Sequence, residues 1–345
     1  MRTRHHKSRS PRSRLLTACS LLASLGCLWT APNAAHAGLS NDGLDWVAIG
    51  SPGNRGILPE ETDLYRGPLG AVDYDYRMTR TEITYSQWFE FVQAYAPYYE
   101  GSHGDSTFLG RFIIYSISTQ SYELQRGAEN YPIEVGWRFA ARYCNWLHND
   151  KALTENAFQA GAYDTSTFGD NPDGTFTDQL THSPNARYWI PTDNEWLKAA
   201  YYDPNRYGEN QEGYWLYPYA SNEPPIPGNP ADGATTNAGP GGSFANRNAG
   251  SYPWANAPWG LLDVSGGAEE WLEDATSGLN GPLARGWRGS GWGDDGYQTY
   301  DRNDWSFLTR VGSQIGLRVA SVPTPGSLLV IWIMAPWALR RRNQQ

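Results

Sequence analysis

The chain has 345 residues, and its 16 Trp, 22 Tyr and 10 Phe are enough to bury the core of one large domain. Nine of the 27 Lys and Arg residues lie in residues 1–37 and 340–345, which contain no acidic residue, so the rest of the chain holds 18 basic against 36 acidic residues. This acidic body argues against a nucleic acid or an anionic membrane as its partner.

Residues 1–37 have the layout of a secretory signal peptide. Residues 2–14 are basic, residues 15–29 are apolar, and an Ala-His-Ala triplet ends at Ala37. This order predicts cleavage after Ala37 and export of the protein. A lipoprotein signal at Cys19 is disfavoured, because the apolar run before its motif is only two residues long.

The body, residues 38–321, contains no internal repeat and is interpreted as one domain. Three helices are predicted in it, and two of them begin at Thr84 and Thr192, each followed three residues later by Gln or Glu in a capping-box pattern. The remaining helix includes Trp137 and places Cys144 on its apolar stripe. Cys144 is therefore predicted to be a core residue.

The remaining elements are predicted to be short. Strand-like patterns occur at residues 70–78, 260–264 and 316–320, and the Pro-, Gly- and Asn-rich residues 203–256 are predicted to be loop or short strand. Together with 37 Gly and 23 Pro, these patterns indicate an α+β fold with much irregular chain.

Residues 322–345 form a separate tail. Residues 328–339 are apolar and are followed by three Arg residues, a run too short to span a bilayer as a helix but with a positive flank. The tail resembles a PEP-CTERM sorting signal, although Thr324 stands where that motif has Glu. The resemblance implies transient membrane anchoring and an exosortase-type processing enzyme as a partner. An ordinary buried terminal segment is the alternative.

Six motifs of the body occur in the order found in the formylglycine-generating enzyme, or sulfatase-modifying factor, family, which the chain resembles. They are TEIT (81–84), the helical segment 132–147, WIPTDNEWLKAA (189–200), GLLDVSGGAEEW (260–271), ARGWRGSGW (284–292) and GSQIGLRVAS (312–321). The resemblance implies a C-type-lectin-like fold, loop-rich with short helices and short strands. The founding enzyme of this family binds calcium. It oxidises a sulfatase cysteine to formylglycine with a pair of cysteines that bind copper.

The family's two cysteine positions fall on Asp294 and Gln298, and neither residue can supply the soft thiolate that holds Cu(I). Besides Cys19 and Cys27, which lie in the signal, the chain has only Cys144. An internal disulfide, copper and formylglycine-generating oxidase activity are therefore not expected. A related branch of the family uses an iron ion held by three histidines. The body of this chain has the histidines His103, His148 and His182, which are interpreted as unrelated surface or capping residues.

The family's calcium turn resembles residues 260–271. Glu270 matches its acidic ligand, but Gly267 replaces an Asn, so the resemblance implies a structural calcium site that has lost one ligand. The alternative is that Glu270 is an ordinary hydrogen-bonded partner of the turn. A second calcium site would fall within residues 229–248.

An aromatic and acidic cluster follows the fifth motif, where the founding enzyme has its substrate cleft. Such a cluster can bind a sugar, a peptide or a cation, whereas the alternative is a set of core tryptophans with solvated aspartates. Arg288 and Arg318 are expected to join the motifs through buried hydrogen bonds. The cleft candidates are Trp287, Trp292, Asp294, Asp295, Tyr297, Tyr300, Asp301, Asp304 and Trp305.

These observations predict an exported envelope protein that acts as a ligand-binding or scaffold module, with a glycan or peptide as its ligand. The alternative is a metal-dependent oxidoreductase that modifies an exported protein or a small molecule. The missing cysteine pair favours the module.

Overall fold

A computed structural model describes residues 42–62, 67–239, 246–278, 281–291 and 315–323. The α-helices in these ranges are α1 (Tyr85–Tyr95), α2 (Ser106–Leu109), α3 (Trp137–His148), α4 (Glu155–Gln159) and α5 (Asp193–Tyr201), and four 3-10 helices of three residues each lie between them and the strands. The strands are β1 (Trp46–Ile49), β2 (Tyr76–Thr79), β3 (Ile113–Ser116), β4 (Ser121–Leu124), β5 (Glu134–Val135), β6 (Tyr188–Trp189), β7 (Tyr202–Asp203), β8 (Gly213–Tyr214), β9 (Glu270–Gly278), β10 (Gly281–Arg288), β11 (Ile315–Gly316) and β12 (Ala320–Ser321). The fold is α+β with short elements, as predicted.

Two sheets bring together segments that are distant in sequence. In one, the strand order is β1-β2-β12-β6, and in the other it is β10-β9-β11-β5. Strand β11 runs parallel to β9, with Gly316 opposite Glu270, and antiparallel to β5. Strands β9 and β10 are antiparallel and place Trp287 opposite Trp271. The first residue of β9 is thereby fixed beside the closing segment of the domain.

The predicted helix starts are confirmed. The Thr84 hydroxyl accepts a hydrogen bond from the backbone N–H of Gln87, and the Thr192 hydroxyl accepts one from that of Glu195. In both cases the Gln or Glu side chain reaches back to the N-cap backbone, which completes the capping box. These reciprocal bonds satisfy N–H groups that a helix leaves unpaired at its first turn.

Aromatic side chains fill the space between α1, α3 and α4. Phe91 of α1 lies with its ring centroid 5.6 Å from that of Tyr143, 5.8 Å from that of Trp146 and 5.9 Å from that of Phe158. All four side chains are buried. The apolar stripe of α3 faces this core, so Cys144 is a core residue as predicted.

The strand predictions are confirmed only in part. Residues 260–264 form no strand, because Asp263 has a φ of +58°, outside the extended region. Within residues 70–78 the strand begins only at Tyr76. The described part of residues 203–256 is loop with short strands, as predicted. Among the described helices, none is long and apolar enough to cross a membrane.

Candidate functional site

The structure describes only part of the predicted cleft and calcium turn. Trp287 lies in β10 and is 6% exposed, so it packs in the core and its ring is not an open binding surface. Glu270 and Gly267 lie at the start of β9 and in the turn before it. The other predicted residues lie outside the described ranges, namely Trp292, Asp294, Asp295, Tyr297, Gln298, Tyr300, Asp301, Asp304 and Trp305.

Arg318 joins this turn to the first sheet. Its guanidinium donates to Glu270, with Nη2 2.7 Å from Oε1 and Nε 3.0 Å from Oε2. It also donates to the backbone carbonyls of Thr79, Arg80 and Leu262. Since Arg318 is fully buried, its charge is compensated entirely by these protein groups. The predicted role of Arg318 is confirmed.

Two further carboxylates face the same guanidinium. The Glu82 Oε2 atom is 3.9 Å from Arg318 Nη2, is buried and has no hydrogen-bond partner, whereas its Oε1 accepts from the N–H of Ala268. Burial raises the pKa of Glu82 well above its usual value, and burial raises the pKa of Asp263 to about 6. The fold therefore places three carboxyl groups around one guanidinium, which favours the protonated forms of Glu82 and Asp263.

Gly267 is required by this carboxylate cluster. Its φ is +70°, a conformation that favours glycine, and a Cβ atom at this position would collide with the Glu82 carboxylate. Its N–H donates to the side-chain oxygen of Asn237, 2.7 Å away. The carboxylate of Glu82 thus fills the space beside the turn that a larger residue would need.

The end of β10 is fixed by a second buried ion pair. Arg288 Nε donates to Asp193 Oδ1 at 2.5 Å, and Nη2 donates to Oδ2 at 3.0 Å. One residue after Gly289, the carbonyl of Ser290 accepts from the N–H of Gly266 at 2.8 Å. These contacts tie the end of β10 to the first turn of α5 and to the turn before β9. The predicted structural role of Arg288 is confirmed.

Most of the chain matches one family of known proteins. A sulfatase-modifying factor enzyme 1-like domain matches residues 60–322. The chain belongs to this family.

Two solved structures are similar to the chain at low identity. The crystal structure of CarF is 18% identical, with a TM-score of 0.49, and the match covers 81% of this chain and 98% of CarF. PvdO from Pseudomonas aeruginosa is 14% identical, with a TM-score of 0.46, and the match covers 82% of this chain and 96% of PvdO. The comparison with curated proteins found no match.

The residues of this family member do not fit the copper site. That site needs two cysteines, and Cys144 is the only cysteine after residue 37. Cys144 is fully buried in α3, and burial raises the pKa of its thiol well above the usual range. A protonated, inaccessible thiol is neither a metal ligand nor a nucleophile.

Calcium at the family turn stays a prediction. Both Glu270 oxygens accept from Arg318, and Oε2 also accepts from Trp196 Nε1 at 2.6 Å. A cation using Glu270 would compete with these donors, and Gly267 offers only a backbone carbonyl. Within the described ranges, no group of three or more His, Cys, Asp and Glu side chains is arranged to hold a metal ion.

Sequence reasoning missed one polar constellation. His182 Nδ1 lies 2.9 Å from Glu273 Oε1, which also accepts from the Tyr163 hydroxyl at 2.8 Å and from the His182 N–H at 2.6 Å. The imidazole stacks on Trp189, with centroids 4.7 Å apart. Burial lowers the pKa of His182, but the hydrogen bond and charge of Glu273 outweigh it and raise the pKa above the usual value.

This arrangement is an oriented imidazole backed by a buried carboxylate. Such a group can hold or transfer a proton near neutral pH, because one ring nitrogen is fixed and the raised pKa favours the charged form. His182 was predicted to be an unrelated surface or capping residue, and its pairing with Glu273 was not predicted. No local motif marks the pair, since the two residues are 91 positions apart in the sequence.

Proposed function

We propose that this chain is an exported, ligand-binding member of the sulfatase-modifying-factor family that does not oxidise cysteine to formylglycine. The observation that carries the proposal is the state of Cys144, which is buried in the α3 core and has no second cysteine beside it in the mature chain. Copper-dependent thiol oxidation needs accessible thiolate ligands. The fold is then used as a rigid platform.

The ligand is proposed to be a glycan or a peptide. The aromatic and acidic residues after β10 supply ring faces and carboxylates, the groups with which proteins bind polar ligands. The Arg288–Asp193 pair supports this proposal, because it anchors the strand from which the segment emerges. A structural calcium at Glu270 and Gly267 is a separate prediction, and the main proposal does not depend on it.

Export and tail processing are proposed as well. The basic and apolar N-terminal residues and the tail with its Arg cluster support a route through the envelope, with exosortase-type processing. The intact mass of protein recovered from the native envelope tests this route. We expect a chain that begins at Gly38 and lacks the terminal Arg cluster, and a chain retaining residues 1–37 would contradict export.

The test of the main proposal combines turnover with metal content. The purified protein is incubated with Cu(I), oxygen and a sulfatase-derived cysteine peptide, and the peptide mass is monitored for formylglycine. We expect no conversion, and we expect calcium or no metal by elemental mass spectrometry. Formylglycine production, or copper or iron near one per chain, would overturn the proposal and favour the oxidoreductase.

A further inference from the structure

A pocket lies among α3, α4 and the turn after α1. This part of the chain carries none of the family's cysteine or calcium positions. It has a cavity volume of about 360 Å³, within the range of small-molecule sites. Its walls include aromatic side chains, two arginines and two exposed glutamates. The lining residues include Tyr98, Tyr99, Phe139, Arg142, Glu100 and Glu155.

Arg142 is the unusual residue of this pocket. Among the described residues, no carboxylate lies within the 4.0 Å ion-pair distance of its guanidinium. Its Nε atom is buried without a hydrogen-bond partner, and Nη1 makes a 3.3 Å bond to the carbonyl of Arg138. Burial lowers the pKa of Arg142, and the Tyr95 hydroxyl and the more distant Asp178 carboxylate offset this only in part. A buried guanidinium nitrogen without an acceptor is costly unless a ligand supplies one.

The neighbouring arginine shows the contrast. Arg138 lines the same pocket, but Asp178 and Asp170 accept from its guanidinium at 2.8 and 2.9 Å. Its charge is therefore already compensated, whereas Arg142 has no ion pair with a described carboxylate. The Arg142 guanidinium is held in place by two rings, 5.1 Å from the Phe168 centroid and 5.8 Å from the Phe139 centroid.

The other walls define the rest of the ligand. Tyr98, Tyr99 and Phe139 present ring surfaces, while the Tyr98 and Tyr99 hydroxyls are already bonded to the Leu153 carbonyl and the Asp105 carboxylate. What these rings contribute to the wall is therefore mainly apolar ring surface. Glu100 and Glu155 are exposed at the rim, where they can accept bonds from ligand hydroxyls and disfavour multiply charged anions.

We propose that this pocket binds a uronic acid unit of an acidic polysaccharide, with its carboxylate on Arg142 and its ring against Tyr99 and Phe139. The single carboxylate of a uronic acid matches the Arg142 guanidinium, which forms no ion pair with a described carboxylate. The sugar ring matches the aromatic walls, and the sugar hydroxyls match the acidic rim. A planar carboxylate also suits the fork of an arginine. This proposal does not depend on the proposed lack of oxidase activity. The turnover assay tests the family's cysteine site, whereas the binding assay tests the Arg142 pocket.

The test measures binding of a galacturonic acid trimer to the purified full-length protein by calorimetry. The same trimer with methyl-esterified carboxyl groups and a neutral galactose trimer serve as ligand controls, so the comparison needs no variant. We expect the acidic trimer to bind with a Kd below about 1 mM and the ester to bind at least ~10-fold more weakly. Arg142→Gln is expected to produce the same loss.

The matched control is Arg126→Gln, which removes an exposed arginine and is expected to leave binding unchanged. Thermal unfolding of both variants checks that they are folded. The proposal is overturned if the acidic trimer does not bind, if acid and ester bind equally, or if Arg142→Gln and Arg126→Gln have equal effects. Tighter binding of a sulfated or phosphorylated sugar would also overturn it and assign the pocket to another anion.

Discussion

Arg318 and Glu270 form a fork-shaped ion pair at the centre of the domain, with Nη2 2.7 Å from Oε1 and both side chains at most 1% exposed. The pair lies between the turn before β9 and the first sheet, and the guanidinium also holds the carbonyls of Thr79, Arg80 and Leu262. One side chain thus joins three segments that the sequence separates widely.

Replacement of Arg318 by Met is therefore expected to destabilise the protein by about 3–5 kcal/mol, because it leaves Glu270 buried without its counter-charge and three carbonyls without a donor. Urea unfolding followed by tryptophan fluorescence measures this loss. Arg126→Gln is the control and should change stability by less than ~0.5 kcal/mol. A loss below about 1 kcal/mol for Arg318→Met would show that the pair does not hold the fold.

Glu82→Gln is expected to stabilise the protein increasingly as the pH rises. The folded-state pKa of Glu82 is raised, so ionisation of this carboxyl opposes folding at any pH above its ordinary value. Gln keeps an acceptor for the Ala268 N–H and removes the buried negative charge. We expect a gain of about 1–2 kcal/mol at pH 8 and none near pH 4.

Unfolding curves of wild type and Glu82→Gln across this pH range provide the measurement. Glu60→Gln, at an exposed position, controls for the change in net charge. A Glu82→Gln difference that is the same at both pH values would mean that the carboxyl does not titrate as its burial implies.

His182 is expected to stabilise the protein more at acidic than at basic pH. Because its folded-state pKa is raised, the contribution of the charged pair with Glu273 is fully present below the ordinary value of 6.5. It is lost as the pH rises through the folded-state pKa. His182→Asn keeps a donor without the charge and should cost about 0.5–1 kcal/mol at pH 5.5, since solvent partly screens the ring.

Two measurements check this prediction. The cost of His182→Asn should fall towards zero above pH 8, and NMR titration should place the pKa of His182 above that of His148, which burial lowers. The reverse order of the two pKa values would contradict the arrangement around Glu273.

Cys144 is expected to resist modification while the protein is folded. The thiol is fully buried, and burial raises its pKa, so both the accessible fraction and the thiolate fraction are small. Alkylation by iodoacetamide, followed by peptide mapping of Cys144, should be at least ~100-fold slower in buffer than in urea. Equal rates under the two conditions would remove the observation on which the proposed loss of oxidase activity rests.

Local sequence patterns determined three of the five α-helices in the described residues, α1, α3 and α5, and indicated the family membership. Thr84 and Thr192 start helices because their hydroxyls bond to N–H groups three residues away, within reach of the chain itself. The stripe that buries Cys144 follows from the helical period alone. The strand predicted at residues 260–264 was wrong, because Asp263 has a φ of +58°, which no local pattern of the segment indicated.

Only the tertiary structure decided which charged groups meet. Glu82 lies against Gly267, Glu273 lies against His182, and Arg142 Nε is buried without a hydrogen-bond partner. None of these relationships follows from spacing along the chain. The physical reason is that the energy of a buried charge depends on its neighbours in space, which are brought together by sheet pairing and core packing. Sequence therefore determined where α1 and α5 begin, and the fold decided which buried charges find a partner.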